Sequence, residues 1–479
     1  MYTGKLFQWL DSLSKTEKTR FKELVNSPFF NKNEEVKKFL SVIYDDPEKK
    51  LSKEKVFKLI YKGQQYQARK ITDLVYYLTR LLEEFLALQK FESNNVLQKI
   101  NLLGETLDRN IEKAALYAAR EIEEELAGTQ YRDNDHFYFE YLFQNELDKY
   151  YGGKGKVERD ASLQKKTDSL DLFYISAKLR DCCEMLNRTQ IIQSEYQMNM
   201  LEYISKYIEN HLTEYDQYPA IAIYYKILLM LQHPENEAHF NSLIIMLSDS
   251  HKLFPRPELR DMYSYAQNYC IRKVNAGVNE YYKSLFEINK KLLETDLIYS
   301  GKYISERDYK NIVSIALRQG EYEWTLDFIG TYKNKLSEDN RDNAHSYNLA
   351  NYYYETKDHK KAVKLLRGVE FTDVYYNLDA KSMLLKIYFE EEEEEAFFAL
   401  AAAFKIYLTR NKLINTQNHT IYNNLLNFTK KAFYLKTRLP YQRNKDYSKK
   451  ISTLKHKVEN TKNVVNSKWL LAQIEGLTQ

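Results

Sequence analysis

Turn-formers are the scarcest feature of this 479-residue chain, which has 13 glycines and 7 prolines where ordinary usage gives roughly 34 and 24. A sandwich or barrel needs a turn every eight to twelve residues or so, and that supply is missing. Long segments joined by brief connections remain. Cysteine is scarce too: three residues form no disulfide framework. Cys182 and Cys183 sit side by side in an apolar stretch and Cys270 lies in another, so buried free thiols in a reducing compartment are expected. No apolar run reaches the length of a membrane span, because Lys226 breaks the most apolar stretch, 219–232. The first residues lack the apolar core of a signal peptide. A cytoplasmic location with no membrane contact is the expectation.

What the chain does hold is the composition of a folded protein, 44% hydrophobic and 29% charged. Tyrosine is abundant at 42 residues. Tyr suits contact surfaces, and it equally suits cores whose hydroxyl reaches water. The net charge of +4 is unevenly spread. Residues 1–92 hold 18 basic against 13 acidic side chains and residues 430–479 hold 12 against 3, leaving the middle at −10. Such ends fit an anionic partner, the chain's own acidic surfaces, or solubility alone.

Helix signals begin at once. Leu6, Leu10 and Leu13 share a face, and Ser14 with Glu17 forms a capping box. Ser27-Pro28 ends that helix, with Phe29 and Phe30 expected to plug the corner. Asn33 and Ser52 cap the next two helices. From Ile71 to Leu88 apolar residues hold the i, i+3, i+4, i+7 rhythm for about five turns. Three further helices fit 93–150, a surface loop fits the Gly-rich 152–160, and helical pairs fit 161–300. The expected fold is all-α, with a bundle over 1–92, an irregular helical-hairpin array over 93–300, repeats over 301–410 and basic capping helices over 411–479.

Three segments align as helix–turn–helix units, beginning at Asp308, Ser346 and Leu378. Small residues open their second helices at Thr325, Ala362 and Ala396, 37 and 34 positions apart. In the middle segment Leu349, Ala350, Tyr353, Ala362 and Leu366 occupy packing positions; the first has Gly320 and Tyr322 at its turn. On these residues the region resembles the tetratricopeptide-repeat family over about 100 positions, with Thr325 in place of the usual Ala and glutamates in place of the third turn's Gly. The wider layout, from the Ser27–Asn31 corner to the Trp469 tail, is similar to a family of uncharacterised bacterial helical-repeat proteins. That second resemblance implies no activity.

The tetratricopeptide resemblance implies hairpins stacked into a right-handed solenoid, whose concave side is lined by outward positions of the first helices. By register these are Lys310, Ser314 and Leu317, then Tyr347, Asn351 and Tyr354, then Lys381, Leu385 and Tyr388. Lys310, Ser314, Tyr347, Asn351, Tyr354, Lys381 and Tyr388 are therefore the candidate residues for holding a protein or peptide partner. The alternative is that the chain itself fills the groove.

Catalytic, cofactor and metal motifs are missing. Gly152–Lys156 fails as a phosphate loop, because Tyr150 and Val157 stand where a Gly and a Ser or Thr are required. His233, His239 and His251 straddle two turns without zinc spacing. The run Glu390–Glu395 lacks the alternation and central Gly of a calcium loop and reads as a solvated turn. Nucleic acid has two possible footholds. One is a helix-turn-helix over 51–90 with Arg69 and Lys70 at its second helix, although that helix has a wide apolar face. The other is the basic tail, whose competing reading is a capping pair anchored by Trp469, Leu470, Leu471 and Ile474. The expectation is a non-enzymatic scaffold or adaptor; the alternative is a nucleic-acid-associated regulator.

Overall fold

A computed structural model describes residues 4–153, 162–192, 195–367, 374–437 and 445–477. Most of the Gly-rich stretch, 154–160, lies outside the described residues, as does 438–444 of the basic tail. Among the described residues there are helices and turns but no β-strand, only an isolated bridge between Ser300 and Tyr303. No helix is long and apolar enough to cross a membrane. The chain divides into two compact units, Met1–Tyr225 with Lys252–Phe254, and Lys226–His251 with Pro255–Gln479.

The first unit begins with α1 (Lys5–Ser12), α2 (Lys15–Asn26), α3 (Glu34–Tyr44), α4 (Lys53–Ile60) and α5 (Ala68–Glu92). Each start has a local cause. The Ser14 hydroxyl accepts the Glu17 N–H at 3.2 Å while the Glu17 carboxylate accepts the Ser14 N–H at 2.7 Å. Asn33 accepts from Glu35 and Val36, and Ser52 from Lys55. The 25-residue α5 is the spine of this bundle and buries Ile71, Leu74, Leu78, Leu81, Leu82 and Phe85. Each such side chain contributes about 1.5–3 kcal/mol on leaving water. The corner at Pro28 departs from expectation. Phe29 is 87% exposed, resting edge-on against a half-buried Phe30. Asn31 plugs the corner instead, donating to the Val25 carbonyl and accepting from the Asn33 N–H. A buried amide satisfies the backbone groups freed where the helix ends, which a phenyl ring cannot do.

α6 (Asn95–Asp108), α7 (Glu112–Gly128) and α8 (Asn134–Gly153) follow, sharing a core built on Leu103, Ala118, Ile122 and Phe143. α9 (Ser162–Ile192) runs beside α8 and buries Cys182 and Cys183, whose thiol protons burial makes harder to remove. α10 (Leu201–Asn210) and the single turn α11 (Leu212–Tyr215) complete the unit. The division then falls inside α12 (Pro219–Gln232).

The second unit holds α13 (Glu237–Asp249), α14 (Arg256–Asn275), α15 (Tyr281–Glu294), α16 (Glu306–Arg318), α17 (Tyr322–Thr331) and α18 (Arg341–Glu355). It continues with α19 (His359–Arg367), α20 (Val374–Glu390), α21 (Glu394–Arg410), α22 (Thr416–Thr437), α23 (Lys445–Glu459) and α24 (Ser467–Gly476). Consecutive helices pair as hairpins. Buried tyrosines find partners within the protein: Tyr269 donates to the Pro234 carbonyl at 2.9 Å and Tyr309 to the Ile329 carbonyl at 2.8 Å. Those bonds let a phenol sit in a core without a desolvated hydroxyl.

One turn recurs. A residue in the left-handed conformation ends a helix, and the next N–H bonds the carbonyl five residues back. It appears at Gly277 and Val278, Gly320 and Glu321, Lys357 and Asp358, and Glu392 and Glu393, and in the first unit at Asn110 and Ile111. This is the Schellman closure, which satisfies orphan carbonyls at the helix end.

Candidate functional site

The recurrent turn fixes the register of the second unit's hairpins. Four residues beyond each turn's second residue stand Thr325, Ala362 and Phe397, all fully buried. Phe397 thus takes the place expected of Ala396, and its ring stacks on Phe433 at 4.1 Å. The first helices α16, α18 and α20 then lie side by side. Counted back from the second residue of each turn, Lys386 stands seven positions before Glu393, as Ser314 does before Glu321 and Asn351 before Asp358. The second and third turns are 35 residues apart, one more than the 34-residue period, so α20 contributes Asp379, Met383 and Lys386.

These helices enclose a polar cavity of about 170 Å³. Ser314 and Arg318 line it from α16, Asn351 and Glu355 from α18, and Asp379 and Lys386 from α20. Val465 and Asn466, just before α24, form its remaining wall. The C-terminal segment therefore folds back onto the first-helix face. Leu470 and Ile474 of α24 are fully buried, and the Trp469 ring meets Phe389 edge-on at 5.4 Å.

Two charged clusters flank the cavity. In the first, Asp379 pairs with Lys310 through one oxygen and accepts the Tyr422 hydroxyl at 2.8 Å through the other. The Lys310 ammonium also lies over the Tyr347 and Tyr376 rings, at 5.2 and 5.4 Å. In the second, Glu390 accepts both the Tyr354 hydroxyl at 2.6 Å and the Trp469 indole N–H at 2.7 Å. Burial is the largest influence on the Glu390 carboxyl and pushes it up. The hydrogen bonds from Tyr354 and Trp469, with the charges of Lys357 and His359, outweigh burial and hold the group below its ordinary value. Glu390 is thus no part of a solvated turn, whereas Glu391, Glu392 and Glu393 are exposed.

The candidate residues separate on this framework. Ser314, Tyr347 and Asn351 come together at the cavity, with Tyr347 only 7% exposed. Lys310 joins them through Asp379. Tyr354 is buried, its ring lying under the Lys386 ammonium at 4.2 Å. Lys381 and Tyr388 lie elsewhere: Lys381 is over the Tyr407 ring at 5.3 Å, and buried Tyr388 accepts from Arg367 at 2.9 Å. Leu385 is fully buried. Lys386, Arg318, Glu355, Asp379 and Asn466 were absent from the sequence-derived set. For Lys386 the available signal was a lysine one turn beyond Ser382 and Met383, within the apolar run Met383–Phe389.

Among the described residues no cluster of His, Cys, Asp or Glu could hold a metal ion. In the first unit Arg69 is exposed at the start of α5, while Lys70 is held by Gln64 and by the Tyr61 ring. The outward face of α5 mixes Tyr76, Tyr77 and Arg80 with Asp73, Glu83 and Glu84. In α23, Lys449, Lys450 and Lys457 are exposed opposite buried Ile451, Leu454 and Val458. Comparison with known proteins finds no matching protein family, no matching curated protein and no matching solved structure.

Proposed function

We propose that the second unit is a tetratricopeptide-like solenoid and that the chain acts as a non-enzymatic scaffold or adaptor. In this reading a protein or peptide partner docks on the face shared by α16, α18 and α20. The observation that carries it is the convergence of Ser314, Asn351, Arg318, Glu355 and Lys386 from three successive first helices onto one polar surface. Such a row suits an extended segment or a helix presenting polar anchors. The recurrence of one hairpin turn supports the repeat reading, since stacked units bury a continuous core that no single hairpin can bury.

The test is a double substitution, Ser314→Arg with Asn351→Arg, in the tagged full-length protein. Both side chains are partly exposed and make no hydrogen bond to another described residue, so a melting temperature within a few degrees of the parent is expected. Co-purification of a stoichiometric partner from native cells should fall at least tenfold. Undiminished capture would remove the face from consideration.

The exposed lysines of α23 favour a second reading, nucleic-acid association through phosphate contacts. It ranks behind the first because α23 also packs against α22 and α24, as a capping pair would.

A further inference from the structure

Two cations, Arg318 and Lys386, and two carboxylates, Glu355 and Asp379, line the α16–α18–α20 cavity. The Lys386 ammonium lies over the Tyr354 ring at 4.2 Å and donates to no oxygen of a described residue. The side chains of Ser314, Asn351 and Asn466 likewise make no hydrogen bond to a described residue. Asn466 is held at φ 55° in the N-cap position of α24, yet its side chain does not cap that helix. Arg318 reaches the cavity with one nitrogen committed to the Tyr282 hydroxyl at 2.8 Å.

The acceptors nearby are occupied or peripheral. Asp379 spends both oxygens on Lys310 and Tyr422. Glu390 is bound by Tyr354 and Trp469. Glu355 lines the cavity but is exposed. Burial is the largest influence on Lys386 and lowers its affinity for the proton, with Glu355 and Glu390 opposing and Lys357 and Arg318 reinforcing. The Lys386 side chain is partly exposed, and charge-assisted bonds to an anion are the strongest its ammonium can make there.

We propose that this cavity is a binding site for a small oxyanion, bearing phosphate- or carboxylate-type oxygens, held by Lys386, Ser314, Asn351 and Asn466. A volume of about 170 Å³ admits one such anion with a few waters. The site goes beyond the scaffold reading, because it needs no protein partner. Its occupant bridges the first-helix face to the segment leading into α24, so binding ties the C-terminus to the hairpins.

The experiment is titration of the purified full-length chain with inorganic phosphate and, separately, with acetate, at constant ionic strength set with chloride. Melting temperature and heat of binding are read together. The site predicts saturable binding of at least one of the two, stronger for phosphate if two charges are accommodated and confined to acetate if only a planar carboxylate fits. Lys386→Met removes the binding, and Asn351→Ala weakens it about tenfold. Lys386→Met exchanges a partly exposed cation for an apolar chain of similar length, and Asn351→Ala serves should that variant fail to fold. No saturable binding of either anion, or binding that persists in Lys386→Met and Asn351→Ala, overturns the assignment and leaves a water-filled cavity. Partner capture is measured independently, so the two proposals fail separately.

Discussion

At the residue scale, Glu390 is the side chain on which the C-terminal segment turns. One oxygen receives both Tyr354 and Trp469, 79 residues away in the chain. A hydrogen bond to a charged group contributes about 1.5–3 kcal/mol, so Trp469→Phe should lose that much while keeping an aromatic ring against Phe389. Urea unfolding of the two proteins measures it. The carboxyl is held below its ordinary value, so its stabilisation is complete at neutral pH and is lost as pH falls through and below the ordinary glutamate range. Glu390→Gln should therefore be less stable than the parent at pH 7, and the gap should narrow as pH falls toward 3.5. A gap independent of pH would show that the charge is not what holds Trp469.

At the element scale, the hairpin turn sets the geometry of the second unit. Gly320 adopts φ 77° and a Cβ there would meet no atom within 4 Å, so Gly320→Ala isolates backbone strain from packing. The left-handed conformation costs a side-chain-bearing residue about 1–2 kcal/mol, partly offset by the reduced freedom of the unfolded chain. A net loss of about 1 kcal/mol is expected. Lys357 bears that strain already at φ 64° and is largely exposed, so Lys357→Gly should gain up to about 1 kcal/mol, less what its 3.7 Å ion pair with Glu390 contributes, read as a higher denaturation midpoint. Much of this level was legible in the sequence. The capping box at Ser14, the caps at Asn33 and Ser52 and the apolar stripe of α5 each follow from contacts within a few residues. Phe29 was misplaced because its surroundings depend on how Asn31 closes the corner. The register of α20 was misplaced because the run of glutamates conceals which residue takes the left-handed conformation, and because this turn falls 35 rather than 34 residues after the one at Lys357.

At the scale of the whole molecule, what the sequence left unread is non-local. Periodicity assigns a helix and its apolar face, yet nothing in it says that Val465 and Asn466 return to line the cavity of α16, α18 and α20. For the same reason Lys386 was invisible as a site residue: it becomes one only when three helices and the C-terminal segment converge. The proposed function lives at this scale, since it asks which surface meets another molecule. The most direct measurement is photo-crosslinking in native cells, with a photoreactive residue in place of Asn351 in one protein and of Lys449 in another. A discrete protein adduct from position 351, unaffected by nuclease and missing from position 449, is the result the scaffold reading predicts. A nuclease-sensitive adduct from position 449, with none from 351, would contradict it and move the function to the lysine face of α23.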